Sequence, residues 1–334
     1  MTLTPVARVT QELKGQTLYL PNLKPYFSQW PTEISPYYEQ LKVTIESKIQ
    51  EWISPVDERV RLKARKVDLP LFCATWYPRS TLDRLETMAW FSMWLFLWDD
   101  VIESTVVSTT SAPTNDVAWL HDQALTYVAF HLGLSESVDE PPPPTKYCTL
   151  FKHAGPALRA ECTIAERQRF HDEIRYYMKG CEVEQTYVRA GELPTLHAFW
   201  ENRIGTSSVN MYCSLGEYMA GTHIPAELYE TEELKTMWFE LNRHISAMND
   251  IVSLKKEIGK SLHSLIPVII NETGVDVNTA VGAVIETLRT SAENVDQGAK
   301  ALLRVTAHDP KAHASVQKYV MAYWTNMTGS YWWS

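Results

Sequence analysis

Three polar side chains recur at every fourth position in the stretch NDIVSLKKE, which begins at Asn249 and ends at Glu257. Asn249, Ser253 and Glu257 would share one face of a helix over about two turns, because residues four apart lie above one another. An amide oxygen, a hydroxyl and a carboxylate form an all-oxygen ligand set, which suits a hard divalent cation such as Mg²⁺. The stretch therefore predicts one half of a metal site.

A second acidic group lies about 150 residues upstream, in the stretch LFLWDDVIES. It supplies Asp99, Asp100 and Glu103, and Asp99 and Glu103 are again four residues apart. These carboxylates directly follow an apolar run, and carboxylates on a buried helix are costly unless they are paired or bound to metal. Each stripe taken alone also fits a solvated helix face. Together, the two stripes predict two helices that face each other across a cavity and hold metal ions between them.

Composition narrows the class of protein. The chain has 334 residues and a formal net charge of −9. This charge argues against a nucleic-acid surface, because phosphate binding requires clustered Lys and Arg. An acidic protein can still bind a phosphate through bridging metal ions. The five cysteines form no CxxC pair, and their odd number favours reduced thiols over a disulfide framework.

Hydropathy gives no sign of a membrane anchor or a secretory signal. The N-terminal sequence MTLTPVARVTQELKGQ lacks an apolar stretch of signal-peptide length. The longest strongly apolar run, Met88–Trp98, is too short to span a bilayer. We therefore expect a cytoplasmic protein with no membrane insertion.

Helical periodicity dominates the chain, and alternation of period two over strand length is absent. Ser80–Glu103 is apolar almost all round, which predicts a helix buried in the centre of a bundle. Glu232–Ile258 predicts the helix that carries the second stripe. Leu196–Met219 predicts a helix with a local break, since its Gly205–Ser208 patch is a poor helix former.

About ten helices with short connections indicate an all-α protein with one domain. Residues 1–30 are polar with scattered prolines, which predicts a poorly structured lead-in. We assign the single helical domain to residues 31–334.

The two motifs resemble those of class I terpene synthases, specifically the single-domain fungal and bacterial sesquiterpene cyclases. The family pattern is DDxx(D/E) followed by NDxxSxx(K/R)E, and this sequence has DDVIE and NDIVSLKKE. The family also places a diphosphate-sensing arginine about 46 residues before the Asn, and Arg203 stands at that position. All three elements have the expected order and spacing, and the resemblance covers the chain from about Trp76 to Ser334.

The resemblance implies a helical bundle around a central active-site cavity that holds three Mg²⁺ ions. The implied ligands are Asp99, supported by Asp100 or Glu103, for two ions, and Asn249, Ser253 and Glu257 for the third. Arg203 and Lys256 would donate hydrogen bonds to the diphosphate of the substrate. Thr206 and Ser207 would stand at the linker and effector positions of the helix break, where a backbone carbonyl points at the forming cation. The implied catalytic residues are Asp99, Arg203 and Ser207.

The C-terminal end also bears on the comparison with the family. Trp333 matches an aromatic residue near the family's C-terminus. In the family an Arg-Tyr pair follows the Trp-Ser by several residues and caps the diphosphate, and this sequence ends at Ser334, before that pair.

The implied reaction needs different chemistry at the two ends of its site. Heterolysis of an allylic C–O bond creates a diphosphate anion and a carbocation, so one end needs concentrated positive charge. The other end must shape a hydrocarbon chain and stabilise moving positive charge without offering a nucleophile, which suits aromatic faces. Seven aromatic side chains are candidates for this wall, although each also fits ordinary core packing: Trp76, Phe91, Trp94, Phe96, Trp200, Tyr212 and Trp333.

We therefore predict a magnesium-dependent lyase that ionises a linear isoprenyl diphosphate, with farnesyl diphosphate as the first candidate, and releases a cyclic sesquiterpene or its alcohol. The alternatives are a diterpene cyclase acting on geranylgeranyl diphosphate and a catalytically silent helical binding protein of the same fold. A chain-elongating prenyl transferase is disfavoured, because it would carry a second DDxxD in place of NDIVSLKKE. The expected partner is the isoprenyl diphosphate and not a nucleic acid, and a homodimer is left open.

Overall fold

The computed structural model describes residues 3–53, 58–108, 115–258 and 262–333, and within these ranges the chain forms sixteen α-helices and no strand. The predicted all-α class is therefore confirmed. In chain order the helices are α1 (Pro5–Leu13), α2 (Lys24–Phe27), α3 (Tyr38–Trp52), α4 (Glu58–Val67), α5 (Leu69–Trp76), α6 (Leu82–Ser108), α7 (Asn115–His131), α8 (Phe151–Glu161), α9 (Ile164–Ala190), α10 (Leu196–Thr206), α11 (Val209–Ser214), α12 (Gly216–Ala220), α13 (Glu232–Glu257), α14 (Leu265–Thr273), α15 (Val277–Val305) and α16 (Pro310–Trp333).

Helix α6 lies in the core of the bundle, as its all-round apolar sequence predicted. It packs against α3, α5 and α8. The side chains of Phe91, Trp94 and Trp98 are fully buried, and burial of one such side chain contributes roughly 2–3 kcal/mol to folding. The next residue, Asp99, begins the acidic motif and is exposed. A helix fixed by its core residues therefore carries this motif to the edge of the core.

Helices α13 and α15 pack side by side in opposite directions over much of their length. Gly298 of α15 lies against Met237 near the start of α13, and further along the pair His244 donates a hydrogen bond to the carbonyl oxygen of Leu288. A methyl group at position 298 would come within 3.1 Å of the Glu233 carbonyl oxygen, which is a tight contact, so the close approach of the two helices favours glycine. This pairing holds the helix that carries the second motif.

Helix α9 has a well-defined capping structure at each end. Thr163 and Glu166 form a reciprocal capping box, in which each side chain accepts a hydrogen bond from the other residue's backbone N–H. Gly191 ends the helix in the left-handed conformation, with φ at 66°. The 27-residue helix between these caps is long enough to place Tyr177 and Glu184 on one face, since seven residues make about two turns.

A break separates α10 from α11 at the patch where the sequence predicted it. Helix α10 ends at Thr206, and α11 begins at Val209. Between them Ser208 has a φ of 64°, in the left-handed region that residues other than glycine rarely adopt. The predicted break is confirmed, and its strained backbone requires support from neighbouring helices.

The prediction of a poorly structured segment at residues 1–30 is wrong for residues 3–30, which contain α1 and α2. The prolines that suggested disorder include Pro5 and Pro25, and each stands in the first turn of a helix. Proline is favoured there, because the N–H that it lacks would have no partner within the helix.

The N-terminal helices join the core of the bundle. Val9 is fully buried in α1, and the neighbouring Arg8 donates from Nη2 to Asn271 Oδ1 of α14 at 2.7 Å. Phe27 of α2 stacks on Tyr331 of α16, with 5.1 Å between the ring centroids. One hydrophobic cluster therefore extends from α1 to α16.

Two further predictions concern the chemistry of the whole chain. All five cysteines lie in the described residues and are free thiols, which confirms that they form no disulfide framework. Among the described helices, none has both the length and the apolar character that crossing a membrane requires.

Candidate active site

Asp99 is the carboxylate of the first motif that turns toward the other helices of the site. Tyr177 of α9 donates a hydrogen bond from its Oη to Asp99 Oδ1 at 2.8 Å. Desolvation by the surrounding protein raises the pKa of the Asp99 carboxyl, although the side chain remains exposed. A carboxylate can be desolvated and exposed at once when many protein atoms surround it and water still reaches its oxygens. The carboxylate is therefore accessible to a cation and oriented by α9.

Asp100 points in a different direction from Asp99. Successive residues of a helix project about 100° apart, so the two carboxylates face different neighbours. Asp100 forms an ion pair with Lys63 of α4. Asp100, predicted as a metal ligand, thus has a lysine ammonium as its partner. The side chain of Glu103 lies outside the part of the chain that the structure describes. Of the two described carboxylates in this motif, Asp99 is the one that faces the site.

The second motif lies on the last three turns of α13. Ser253 Oγ and Glu257 Oε2 are buried, and neither has a hydrogen-bond partner in the part of the chain that the structure describes. A buried polar atom without a partner costs roughly 1–3 kcal/mol. Two such oxygens, one turn apart on one helix face, fit the ligand set of a hard divalent cation. Lys256 is exposed beside them in the last turn.

Arg203 of α10 connects its helix to the start of the motif on α13. Its Nη2 donates to Asp250 Oδ1 at 2.6 Å and to Asn249 Oδ1 at 3.2 Å. The second oxygen of Asp250 accepts from the backbone N–H of Leu265, at the first residue of α14, at 2.7 Å. Asp250 therefore holds the guanidinium in place, and Arg203 Nε stays buried without a partner among the described residues.

Glu184 of α9 adds a further carboxyl to this region. Its pKa is raised to about 7, chiefly by burial; Arg203 opposes this rise, and the negative charges of Asp99, Asp250 and Glu257 contribute to it. The carboxyl groups named here lie on three helices, so α6, α9 and α13 converge on one acidic region. The concentration of carboxylates around Arg203 fits a site that binds multivalent cations.

Three residues of this region were missed by the sequence analysis: Tyr177, Glu184 and Asp250. Asp250 stands inside the motif, directly after Asn249, and its type was visible there. Tyr177 and Glu184 lie seven residues apart on an otherwise charged helix, and nothing in the local sequence marks them as neighbours of Asp99 and Arg203.

Aromatic side chains form a continuous chain of ring contacts through the bundle. Trp76 lies 4.4 Å from Phe72 and 5.3 Å from Tyr212 between ring centroids, and Tyr212 lies 5.3 Å from Phe91. Phe72 in turn lies 5.0 Å from Trp333. The structure thus brings together predicted wall residues from α5, α6, α11 and α16.

Two predicted wall residues extend the chain of rings, and one lies apart from it. Phe96 meets Trp333 edge to face at 6.1 Å, and both are partly buried. Trp94 is fully buried beside Phe91, with 5.9 Å between the rings. Trp200 packs instead against Phe199 at 5.4 Å and beneath the Arg243 guanidinium at 5.1 Å.

The helix break brings Ser207 against α13. Ser207 Oγ donates to Asn242 Oδ1 at 2.9 Å and accepts from the backbone N–H of Val209 at 3.2 Å. Its hydroxyl therefore serves the break itself, so a catalytic contribution of Ser207 would come from its backbone. The neighbouring Thr206 Oγ1 is buried with no partner in the described ranges.

Comparison with protein families places these residues in a known context. The family model described as terpene synthase family 2, C-terminal metal binding, matches residues 91–294. The matched segment contains both metal motifs and Arg203.

Curated proteins similar to this chain are terpene cyclases. The sesquiterpene cyclase hepA of Aspergillus oryzae is 31% identical over 332 residues, which cover 97% of this chain and 89% of that protein. The silphinene synthase peniA of Penicillium patulum is 24% identical, over 97% of this chain and 86% of that protein.

Solved structures show the same fold. The linalool/nerolidol synthase of Streptomyces clavuligerus superposes with a TM-score of 0.76 at 19% identity, covering 91% of this chain and 98% of that chain. An α-eudesmol synthase superposes with a TM-score of 0.77 at 19% identity, covering 95% and 98%. At this identity the likeness shows a common helical architecture.

Proposed function

Because the chain belongs to terpene synthase family 2 and is a class I terpene synthase, we propose that it cyclises farnesyl diphosphate to a sesquiterpene or a sesquiterpene alcohol. The 31% identity to a sesquiterpene cyclase over nearly the whole chain supports this substrate. In the proposed reaction the allylic C–O bond breaks heterolytically, its electron pair leaves with the diphosphate, and the allyl cation is attacked by a double bond of its own chain.

The observation that carries the proposal is the pair of buried oxygens without partners, Ser253 Oγ and Glu257 Oε2. We assign these atoms, together with Asn249 Oδ1, to one Mg²⁺ ion. We assign Asp99 to the other two ions of the predicted three, with Glu103 in support. When bound, the metal neutralises the charge that develops on the departing diphosphate.

Arg203 is the protein's own cation for the diphosphate. Its guanidinium is always protonated, and its planar fork suits phosphate oxygens. Asp250 fixes one nitrogen, while Nε is left buried without a partner in the described residues, so Nε is the donor that we assign to the diphosphate. Lys256, exposed at the end of α13, is assigned to a further phosphate oxygen.

The hydrocarbon part of the substrate is assigned to the aromatic wall. Trp76, Phe91 and Tyr212 are buried side chains in ring contact with one another, and the face of an aromatic ring stabilises positive charge without adding to the cation. Phe96 and Trp333 retain exposed surface next to this cluster and are assigned to the wall nearer to solvent. Exclusion of water by these rings would prevent premature capture of the cation. The location of Trp200 beneath Arg243 gives no support to its predicted substrate contact.

The test is a product assay on the purified protein. Farnesyl and geranylgeranyl diphosphate are incubated separately with Mg²⁺ or with EDTA, diphosphate release is measured, and the organic extract is analysed by gas chromatography with mass spectrometry. We expect a cyclic C15 product only from farnesyl diphosphate with Mg²⁺. A cyclic C20 product would replace the sesquiterpene assignment with a diterpene one, and no product from either substrate would contradict the proposal. The cytoplasmic location, the homodimer and the single-domain organisation stay predictions.

A further inference from the structure

Asn242 is a fully buried polar side chain on α13 whose hydrogen-bonding capacity is completely used. Its Oδ1 accepts from Ser207 Oγ at 2.9 Å and from Ser246 Oγ at 3.1 Å. Its Nδ2 donates to the Ile204 carbonyl oxygen at 2.8 Å and to Asn210 Oδ1 at 3.1 Å. A side-chain amide has two donors and two acceptor sites, and here each has a partner.

The partners of Asn242 lie on both sides of the helix break. Ile204 belongs to α10, Ser207 lies at the break, and Asn210 belongs to α11. In a continuous helix the N–H of Ser208 would bond to the carbonyl of Ile204, four residues earlier. Here it bonds to the carbonyl of Gly205 at 3.2 Å, and Asn242 Nδ2 takes its place on Ile204. Asn242 thus replaces the backbone hydrogen bond that the break removes.

The same helix face of α13 also meets Arg203. Asn242 and Asn249 are seven residues apart, which is about two helical turns, and Arg203 directly precedes Ile204. Helix α13 therefore holds α10 at two successive points, through Asn249 and Asp250 at the guanidinium and through Asn242 at the break. The position of the break relative to Arg203 is set by one rigid helix.

A third helix completes this support. The Glu173 carboxyl of α9 lies near Asn210, whose side chain opposes the rise in the pKa of that carboxyl that burial causes and whose oxygen accepts from Asn242. The backbone at the break is strained at Ser208, and strain of this kind costs of order 1–3 kcal/mol. Such a conformation persists only where its surroundings determine it, and Asn242 is the residue that contacts all three of its segments.

We propose that Asn242 is a positioning residue that fixes the helix break against the diphosphate-binding end of the site and thereby controls how the carbocation is converted after ionisation. This inference rests on the proposed function. A backbone carbonyl near a cation acts through its direction and distance, so loss of the Asn242 bonds would alter the product spectrum as well as the rate. A residue that only stabilised the fold would lower the melting temperature and leave the ratio of products unchanged.

The experiment compares Asn242→Leu and Asn242→Asp with the matched control Ser246→Ala. Leu keeps the branched shape and the number of heavy atoms of Asn and removes all four hydrogen bonds. Asp keeps the acceptor oxygen Oδ1 and has a second oxygen in place of Nδ2, which removes the donors to Ile204 and Asn210. Ser246→Ala removes one bond to the same Oδ1 and leaves the three bonds at the break in place. For each protein, diphosphate release and the amounts of cyclic and acyclic products from farnesyl diphosphate are measured with Mg²⁺, and folding is checked by circular dichroism.

We expect both Asn242 variants to release diphosphate about tenfold more slowly, which corresponds to about 1.4 kcal/mol in the barrier to ionisation. We also expect acyclic, water-quenched alcohols to rise at least fivefold per diphosphate released, with the control unchanged. If Asn242→Leu fails to fold, Asn242→Asp carries the test. A product ratio equal to that of the wild type in a folded variant would overturn the inference alone. A wild-type protein that forms no cyclic product would overturn the proposed function and this inference together.

Discussion

Arg203 donates from a single nitrogen, Nη2, to two consecutive residues of α13, at 2.6 Å to Asp250 and at 3.2 Å to Asn249. The two acceptors differ in burial, because Asp250 is almost fully buried and Asn249 is exposed. The buried side chain of the motif therefore anchors the arginine through the shorter bond, and its exposed neighbour holds the guanidinium by a longer bond and is accessible to a ligand.

Replacing these two neighbours separates stability from catalysis. Asp250→Asn leaves the Arg203 guanidinium without its carboxylate, and breaking a buried ion pair by removing one partner costs about 3 kcal/mol. Asn249→Ala removes a longer bond at an exposed site, so we expect a loss below about 1 kcal/mol together with a nearly complete loss of turnover. Urea unfolding curves and diphosphate release measure the two effects. Equal destabilisation by both substitutions would contradict the anchoring role of Asp250.

Glu257→Gln tests whether the Glu257 carboxylate lowers the stability of the metal-free protein and is needed for metal binding. The partly buried Glu257 carboxylate lies near the like charges of Asp250 and Glu184, and its Oε2 has no hydrogen-bond partner among the described residues. A neutral amide relieves the repulsion between these carboxylates, although it gives up the attraction of Arg203. We expect the metal-free variant to be about 1 kcal/mol more stable than the wild type, and to lose nearly all Mg²⁺-dependent turnover. Thermal melting in EDTA, and then with Mg²⁺ and diphosphate, measures both. The control is Glu136→Gln in an exposed loop, and a Glu257 variant that melts and reacts like this control would refute the assignment.

Tyr177→Phe tests the orientation of Asp99. The substitution removes only the hydroxyl that donates to Asp99 Oδ1, and loss of a hydrogen bond to a metal ligand typically weakens metal binding about tenfold. We expect the Mg²⁺ concentration for half-maximal diphosphate release to rise by that factor. Tyr176→Phe is the matched control, because its hydroxyl donates to the Glu201 carbonyl oxygen outside the acidic region. An unchanged Mg²⁺ dependence in Tyr177→Phe would show that α9 does not orient Asp99.

The sequence predicted the elements whose signal is local. The second motif repeats its polar residues at every fourth position, so the helix of Asn249, Ser253 and Glu257 could be predicted directly from the sequence. The apolar run before Asp99 predicted the central helix, and Gly205–Ser208 predicted the break. The family prediction of a class I terpene synthase is confirmed as well.

The parts that the sequence did not predict depend on contacts between distant residues. The direction of Asp100 is set by Lys63, which lies 37 residues earlier on another helix. In the sequence, Asn242 looks like any polar residue of an amphipathic helix. Its role is visible only in its contacts with α10 and α11. The N-terminal helices were missed because proline signals both a break and a helix start, and burial against α14 and α16 decides between them.

His244 is the basis of a pH prediction for stability. The side chain is fully buried, its Nδ1–H donates to the Leu288 carbonyl oxygen, and burial lowers its pKa to about 4. Since the unfolded chain has the ordinary histidine pKa near 6.5, it binds a proton between these values that the folded chain does not bind. The contribution of His244 to stability is therefore present above about pH 6.5 and is lost as the pH falls toward 4, by at most about 3 kcal/mol.

His244→Gln removes this titration, and its free energy of unfolding should fall less steeply than that of the wild type between pH 6.5 and 4. Urea unfolding at several pH values over this range measures the difference. The exposed His308→Gln variant is the control and should keep the wild-type slope. His263, whose pKa burial also lowers to about 4, remains in both variants, so the slope should decrease and not vanish. If the free energy of unfolding of His244→Gln depended on pH as steeply as that of the wild type, His244 would bind its proton in the folded protein as readily as in the unfolded chain.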